Sequence, residues 1–232
     1  MKTVALIPIR AGSKGIPGKN MKEMCGKPLC YWVIEAALGA KMSIDHVYYS
    51  TDYDEERWGI EGDLDMGKLD HVVRPDWLAT DTASSDDVLR HFCWSVCEPE
   101  DRVVMLQATS PLTTCQDIDE AVREHESMGY SAPGNAVVSV VEAPQRLYWA
   151  EHNSCFIAPR YRPDQRPMRE KIPPTYTENG AIYVMDAKLI MYGNARCDGF
   201  VKPYIMHPDT LTEIDTPEDW DIVEKLLEAR LS

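Results

Sequence analysis

Apolar positions fall into two patterns that alternate along the chain. Thr3–Ile9 (TVALIPI) is almost wholly apolar, the composition of a strand buried on both faces. From Pro28 to Lys41, Leu29, Trp32, Val33, Ala36 and Ala37 recur with a helical period. His46–Ser50 predicts a second strand, Asp54–Gly62 a helix and His71–Val73 a short strand. Ser84–Glu98 carries Val88, Leu89, Phe92, Cys93 and Val96 along one helical face. Strands are predicted at Arg102–Leu106, Ala136–Val141 and Ala181–Met185, with a helix at Gln116–Met128. Pro217–Arg230 closes the chain as a helix. Thr216 is its N-cap, Pro217 its first residue and Asp219 its third, with Glu218 favouring the positive helix end.

Strands alternating with helices predict an α/β fold, a doubly wound and mostly parallel sheet with helices on both faces. Ligands in such sheets bind beyond the carboxyl ends of the strands, so the loops after Ile9, Ser50 and Leu106 are the places to look. One region breaks the pattern. Glu151–Glu178 holds five Pro and five Arg or Lys in 28 residues without a clear period. We read 1–232 as a single domain, with 143–178 and its flanks as a flap or dimerisation subregion.

Composition narrows the class. The 232 residues carry 24 Lys or Arg against 38 Asp or Glu, a net charge of −14, which disfavours nucleic-acid and anionic-membrane partners. An apolar fraction of 44% excludes disorder, and no apolar run approaches a membrane span. The charge is segregated: residues 1–27 hold six Lys or Arg and one acid, leaving 18 basic and 37 acidic residues for the rest. Such a basic edge on an acidic body suits a small polyanion. The N-terminus shows no secretory leader pattern and the seven Cys no paired spacing, so a cytoplasmic protein with reduced thiols is expected. Cys93 and Cys97, four apart on a helix, read as core residues rather than metal ligands.

Candidate chemistry begins directly after the first strand, in Arg10-Ala11-Gly12-Ser13-Lys14-Gly15-Ile16-Pro17-Gly18-Lys19-Asn20. Three glycines at three-residue spacing permit positive φ and leave backbone N–H groups open to an anion. Arg10, Lys14 and Lys19 repel one another unless a polyanion sits among them. The loop is not a Walker A motif, being one residue too long between Gly12 and Gly18 with Asn20 where Ser or Thr is required. Nor is it a dinucleotide fingerprint.

This stretch resembles the N-terminal signature of the acylneuraminate cytidylyltransferase family, the CMP-sialic acid synthetases. Further matching motifs follow in order: Arg74-Pro75 with Leu78–Ser85, Leu106–Leu112, Asn179-Gly180-Ala181-Ile182-Tyr183 and Glu213-Ile214-Asp215-Thr216. Asn20 stands where the related CMP-Kdo synthetases usually carry Pro, which favours the sialic-acid-like branch. The resemblance implies a Rossmann-like sugar-nucleotidyltransferase fold, CTP and a sugar acid as substrates, Mg²⁺ as cofactor and a homodimer.

On that resemblance, Arg10 and Lys19 serve the α-phosphate and leaving group, and Lys14 the β/γ end. Gly12, Ser13, Gly15 and Asn20 complete the nucleotide loop, and Arg74, Ser84 and Ser85 line the cytidine pocket. Thr82 or Ser84 also reads as a plain helix N-cap. Gln107 suits sugar hydroxyls or an N-acyl group, or else a loop-fixing hydrogen bond. Arg169 matches the spacing of the family's carboxylate-binding Arg, with Arg166 its rival, and Asn179 and Tyr183 border the same pocket. Arg160 and Arg162 read as a solvated face or a subunit contact. Glu213 and Asp215 alternate across Ile214, so an extended segment turns both carboxylates to one side, as Mg²⁺ ligands or, for Asp215, as helix-start chemistry. No His has an evident partner.

Overall fold

Alternation along β1 (Thr3–Ile9) sets the layering: Ala5, Ile7 and Ile9 belong to one buried cluster, Val4 and Leu6 to another. Both faces of the strand are covered, as its apolar sequence requires. The computed structural model describes residues 1–12, 15–52, 67–80, 82–129, 134–144, 148–151, 157–159, 161–193 and 195–232. The side chains of Glu151, Ile157 and Arg169 also lie outside the description. After β1 come a small ribbon of β2 (Glu23–Met24) and β3 (Lys27–Pro28), then α1 (Leu29–Gly39), β4 (His46–Thr51) and β5 (Leu69–Val73). Next are α2 (Ser85–Val96), β6 (Arg102–Leu106), α3 (Cys115–Ser127) and β7 (Asn135–Ala143). A ribbon of β8 (Trp149–Glu151) and β9 (Ile157–Pro159) precedes β10 (Thr175–Asp186), α4 (Ala187–Tyr192), β11 (Phe200–Ile205) and α5 (Pro217–Leu231).

Seven strands form one sheet in the order β11-β7-β10-β6-β1-β4-β5. Pairing is parallel except at β10, which runs antiparallel to both β6 and β7. Helices α1 and α3 cover one face and α2 and α4 the other. Cys93 packs beside Phe92 in the second cluster, as expected of a core residue. A third cluster joins Ile16 of the loop after β1 to Ile214 and to Trp220, Val223 and Leu227 of α5. The C-terminal helix thereby clamps two segments that carry candidate chemistry. Among the described residues no helix is long and apolar enough to cross a membrane.

Each long polar-started helix opens with the same device. Ser84, Thr114 and Thr216 accept from the backbone N–H of Asp87, Asp117 and Asp219, whose carboxylates bond back to the caps. The helix expected at Asp54–Gly62 falls outside the described residues. Residues 175–178, assigned to the flap, are the exposed start of β10 paired with β7. β11 went unforeseen because Pro203 interrupts it, which an edge strand tolerates.

One histidine has partners that no sequence spacing reveals. His125 is 5% exposed; its Nδ1 accepts from Arg102 Nε at 3.1 Å and its Nε2 donates to the Asn135 carbonyl at 3.1 Å. These bonds select the neutral imidazole. Burial lowers its pKa from the ordinary 6.5; the Asn135 carbonyl and Asp186 oppose the shift and Arg102 adds to it. Below pH 6.5 the unfolded chain takes up a proton at His125 that the folded chain refuses, so stability is full above that pH and declines below it. Denaturant melts should show this acid decline attenuated in His125→Gln below about pH 6.5. Identical pH slopes in both proteins would contradict the assignment.

Candidate active site

The loop after β1 and the loop after β6 meet beyond the carboxyl ends of two neighbouring parallel strands. From there the sheet extends to β4 on one side and towards β7 on the other, a topological switch point. A cavity of about 380 Å³ opens there. Its walls include Arg10, Gly12, Gly15, Lys19 and Asn20 of the first loop, with Arg74, Ser84, Ser85, Gln107 and Asp215.

Several contacts hold the basic loop in place. Ala11 N–H donates to Asp52 Oδ1 at 2.8 Å, Asn20 Nδ2 to the Arg10 carbonyl at 2.9 Å, and Arg10 Nη1 to the Thr80 carbonyl at 3.3 Å. Lys19 Nζ donates to the Ile214 carbonyl and lies 3.3 Å from Asp215 Oδ1. Gly15 is required for space: a Cβ there would fall 2.1 Å from the Asp215 carbonyl oxygen. Of the three loop glycines, Gly18 alone has positive φ, at 64°, so the expected left-handed freedom is used once. Asn20 is 6% exposed and its Oδ1 is buried without a hydrogen-bond partner among the described residues, although the residue lines the cavity. Such an orphaned acceptor suits a donor on a ligand. Arg74 is anchored to Ser50 through its carbonyl at 2.8 Å, and burial lowers the Arg74 pKa against the raising effect of Asp52.

A second cavity of about 250 Å³ adjoins the first. Gln107, Thr109 and Asp215 line both; Asn179, Gly180, Tyr183, Arg196 and Glu213 line the second. The β10–β7 register shifts between Glu178 and Tyr183, and Gly180 takes φ 69° within that irregularity. Asn179 spends its amide on the protein: Oδ1 accepts from Ser139 Oγ at 2.6 Å and Nδ2 donates to Thr210 Oγ1 at 2.8 Å. It shapes the wall. Tyr183 Oη donates to Glu178 at 3.0 Å, and burial followed by Glu178 raises its pKa.

Ile214 is 1% exposed while Glu213 and Asp215 are exposed, so the alternation turns both carboxylates to the cavity side. Their hard oxygens match Mg²⁺, which commonly takes one or two carboxylates and draws its remaining ligands from phosphates and water. Among the described residues no cluster of three or more His, Cys, Asp or Glu offers an all-protein metal cage. The donor set fits a metal shared with a phosphorylated substrate.

The sequence profile of the cytidylyltransferase family matches residues 4–231. The chain belongs to the cytidylyltransferase family. Among family relatives, it is 34% identical over 231 residues to N-acylneuraminate cytidylyltransferase B of Danio rerio, covering 95% of this chain and 50% of that one. It is 30% identical over 221 residues to the N-acylneuraminate cytidylyltransferase of Streptococcus agalactiae serotype III (strain NEM316), covering 95% and 52%. Against CMP-N,N'-diacetyllegionaminic acid synthase of Legionella pneumophila it is 30% identical over 235 residues, covering 98% and 97%. The chain thus spans about half the length of the first two relatives and nearly all of the third. The fold is similar to that of a CMP:2-keto-3-deoxy-manno-octonic acid synthetase complexed with CTP, at TM-score 0.66 and 16% identity over 99% of this chain and 100% of that one. It is equally similar to 4-diphosphocytidyl-2C-methyl-D-erythritol synthase from Anaerococcus prevotii, with TM-score 0.66 and 13% identity over 98% of each chain.

Within this cytidylyltransferase-family chain, the remaining candidates divide clearly. Ser13, Lys14 and Arg160 lie outside the described residues, and Arg169 is placed only by its backbone, in the turn Arg169–Lys171. Arg166 is exposed, and Arg162 pairs with Asp164 at 2.7 Å on the surface. Ser84 is both helix cap and cavity wall. Sequence reasoning missed Asp52, Thr109 and Arg196. Asp52 and Thr109 follow the carboxyl ends of strands β4 and β6, a signal that was available; Arg196 has no local signature.

Proposed function

We propose that the protein transfers CMP from CTP to the anomeric hydroxyl of a sialic-acid-like sugar acid, releasing pyrophosphate. The observation that carries this reading is the wall shared by the two cavities, where Gln107, Thr109 and Asp215 face both. A nucleotide in the basic cavity and an acceptor in the adjoining one would meet at that wall. Arg10 and Lys19 would neutralise charge on the α-phosphate and the departing pyrophosphate, and Arg74 with Ser84 and Ser85 would hold the cytidine end. Gln107 would orient the acceptor so that its hydroxyl approaches in line with the leaving group. Asp215 and Glu213 would hold Mg²⁺, which when bound neutralises phosphate oxygens and favours an ionised hydroxyl.

The full-length match to the legionaminic acid synthase supports an acceptor among the nine-carbon sugar acids. The proposal includes a homodimer in which 143–178 contributes the contact; Tyr148, Trp149, Met168 and Tyr176, all exposed, support it. A cytoplasmic setting belongs to the same reading, because the seven cysteines lack a disulfide-framework spacing. Purified protein given CTP, Mg²⁺ and a panel of nonulosonic acids should release pyrophosphate with at least one acid and none without it. Silence across the whole panel would sink the reading.

A further inference from the structure

Of the three helices that open on a Ser or Thr cap with Asp at the third position, one uses that Asp for more than capping. At α2 and α3 the Asp87 and Asp117 carboxylates accept from the backbone N–H and the hydroxyl of Ser84 and Thr114. The residues before those caps turn elsewhere: Ala83 N–H donates to the Thr80 carbonyl and Thr113 N–H to the Ser110 carbonyl. At α5, Asp219 Oδ2 takes the same two donations from Thr216, each at 2.8 Å, and a third from the Asp215 N–H at 3.2 Å. The added donor is the residue whose carboxylate lines both cavities.

A carboxylate is aimed only as firmly as the backbone beneath it. The N–H groups of Asp215 and Thr216 belong to the peptide planes on either side of the Asp215 Cα, and both converge on one Asp219 oxygen. That convergence restrains φ and ψ of Asp215 together. Its flanks are held as well: Ile214 is 1% exposed, and the Asp215 carbonyl abuts Gly15 so closely that a Cβ there would fall 2.1 Å from it. Lys19 Nζ lies 3.3 Å from Asp215 Oδ1 on the loop side. The side-chain torsions alone remain to be fixed when a ligand binds, which lowers the entropy lost on binding. Asp219 is not among the described residues lining either cavity, so it reaches a ligand only through Asp215.

We propose that Asp219 is a positioning residue that sets the direction of the Asp215 carboxylate towards Mg²⁺ and the triphosphate. The inference rests on the cytidylyltransferase reading and deepens it by naming what holds the carboxylate in register with the basic loop. One oxygen thus serves two ends, the start of α5 and the wall between the cavities.

Asp219→Ala, Asp219→Asn and the matched capping variant Asp117→Ala test the assignment through two readouts. The first is the Mg²⁺ concentration giving half-maximal pyrophosphate release at saturating CTP and sugar acid. The second needs no turnover: the enhancement of water-proton relaxation that marks a ternary complex of protein, Mn²⁺ and CTP. Asp219→Ala should raise the half-maximal Mg²⁺ about 10-fold, the scale of losing a group that orients a metal ligand, and should weaken the ternary complex. Its helix stays capped, because Thr216 Oγ1 still accepts from the backbone N–H of residue 219. Asp219→Asn, whose amide oxygen can take the same donations, should stay within about threefold of wild type in both readouts. Asp117→Ala should lower the melting temperature and move neither. Wild-type metal dependence in Asp219→Ala would overturn the inference. So would an equal shift in Asp117→Ala, the mark of a general capping effect, or an Asp219→Asn as impaired as Asp219→Ala, the mark of charge and not direction. An active wild type with an unaffected Asp219→Ala rejects the Asp219 assignment alone; an inactive wild type rejects the underlying function and this assignment with it.

Discussion

Lys19→Ala should lower kcat/KM for pyrophosphate release by about 10²- to 10³-fold, the usual loss when one positioned charge stabiliser is removed. Its side chain is 13% exposed and reaches across the chain to the 214–215 segment, where Nζ meets the Ile214 carbonyl and Asp215. The ammonium is therefore held beside Asp215, which lines both cavities, where the leaving group of the proposed reaction would develop charge. Removing it takes away both that charge and one tie between the basic loop and the segment that carries Glu213 and Asp215. The Ile16–Ile214–Trp220 cluster remains as a second tie, so the fold should survive. A far-ultraviolet spectrum and melting temperature near wild type, with activity lost, is the expected pair of results. Activity within threefold of wild type would remove Lys19 from the reaction.

Asp215→Ala should cost on the order of 10²- to 10³-fold in kcat, corresponding to several kcal/mol of lost charge stabilisation. The side chain is 73% exposed, so its removal leaves the core untouched. The Asp215 N–H donates to Asp219 Oδ2 at 3.2 Å through the backbone, a bond that alanine retains, and Thr216 continues to cap α5. Stability should accordingly change by less than about 1 kcal/mol. Nucleotide affinity measured by calorimetry should fall less than turnover does. Glu213→Ala is the informative companion, because Glu213 lines the second cavity alone whereas Asp215 lines both. Equal turnover for Asp215→Ala and wild type would dissociate this carboxylate from the chemistry.

The sheet's centre was legible because its strands are buried twice over. Thr3–Ile9 and Arg102–Leu106 appear in the fold with the bounds their apolar runs suggested. The edge was not: β11 exposes Phe200, Val201 and Ile205 and contains Pro203, so neither alternation nor propensity marks it. The candidate site divides the same way. Glycines, cations and the Glu-Ile-Asp alternation are local patterns, and the fold gathers Arg10, Gly12, Gly15, Lys19, Glu213 and Asp215 at the two cavities. Arg196 and Asp52 are invisible locally because their contacts are with Asp86, Tyr183 and Ala11, which only the packed sheet brings to them. His125 was passed over for the same reason, its partners Arg102 and Asn135 being neighbours only through strand pairing and helix docking.

Phosphorus-31 NMR of the protein with CTP, Mg²⁺ and an accepted sugar acid follows directly which phosphate bond breaks. Transfer at the α-phosphorus predicts that the three CTP resonances decline together while pyrophosphate and one phosphodiester resonance rise in equal amounts. Formation of CDP and orthophosphate, or of CMP with no sugar phosphodiester, would contradict it.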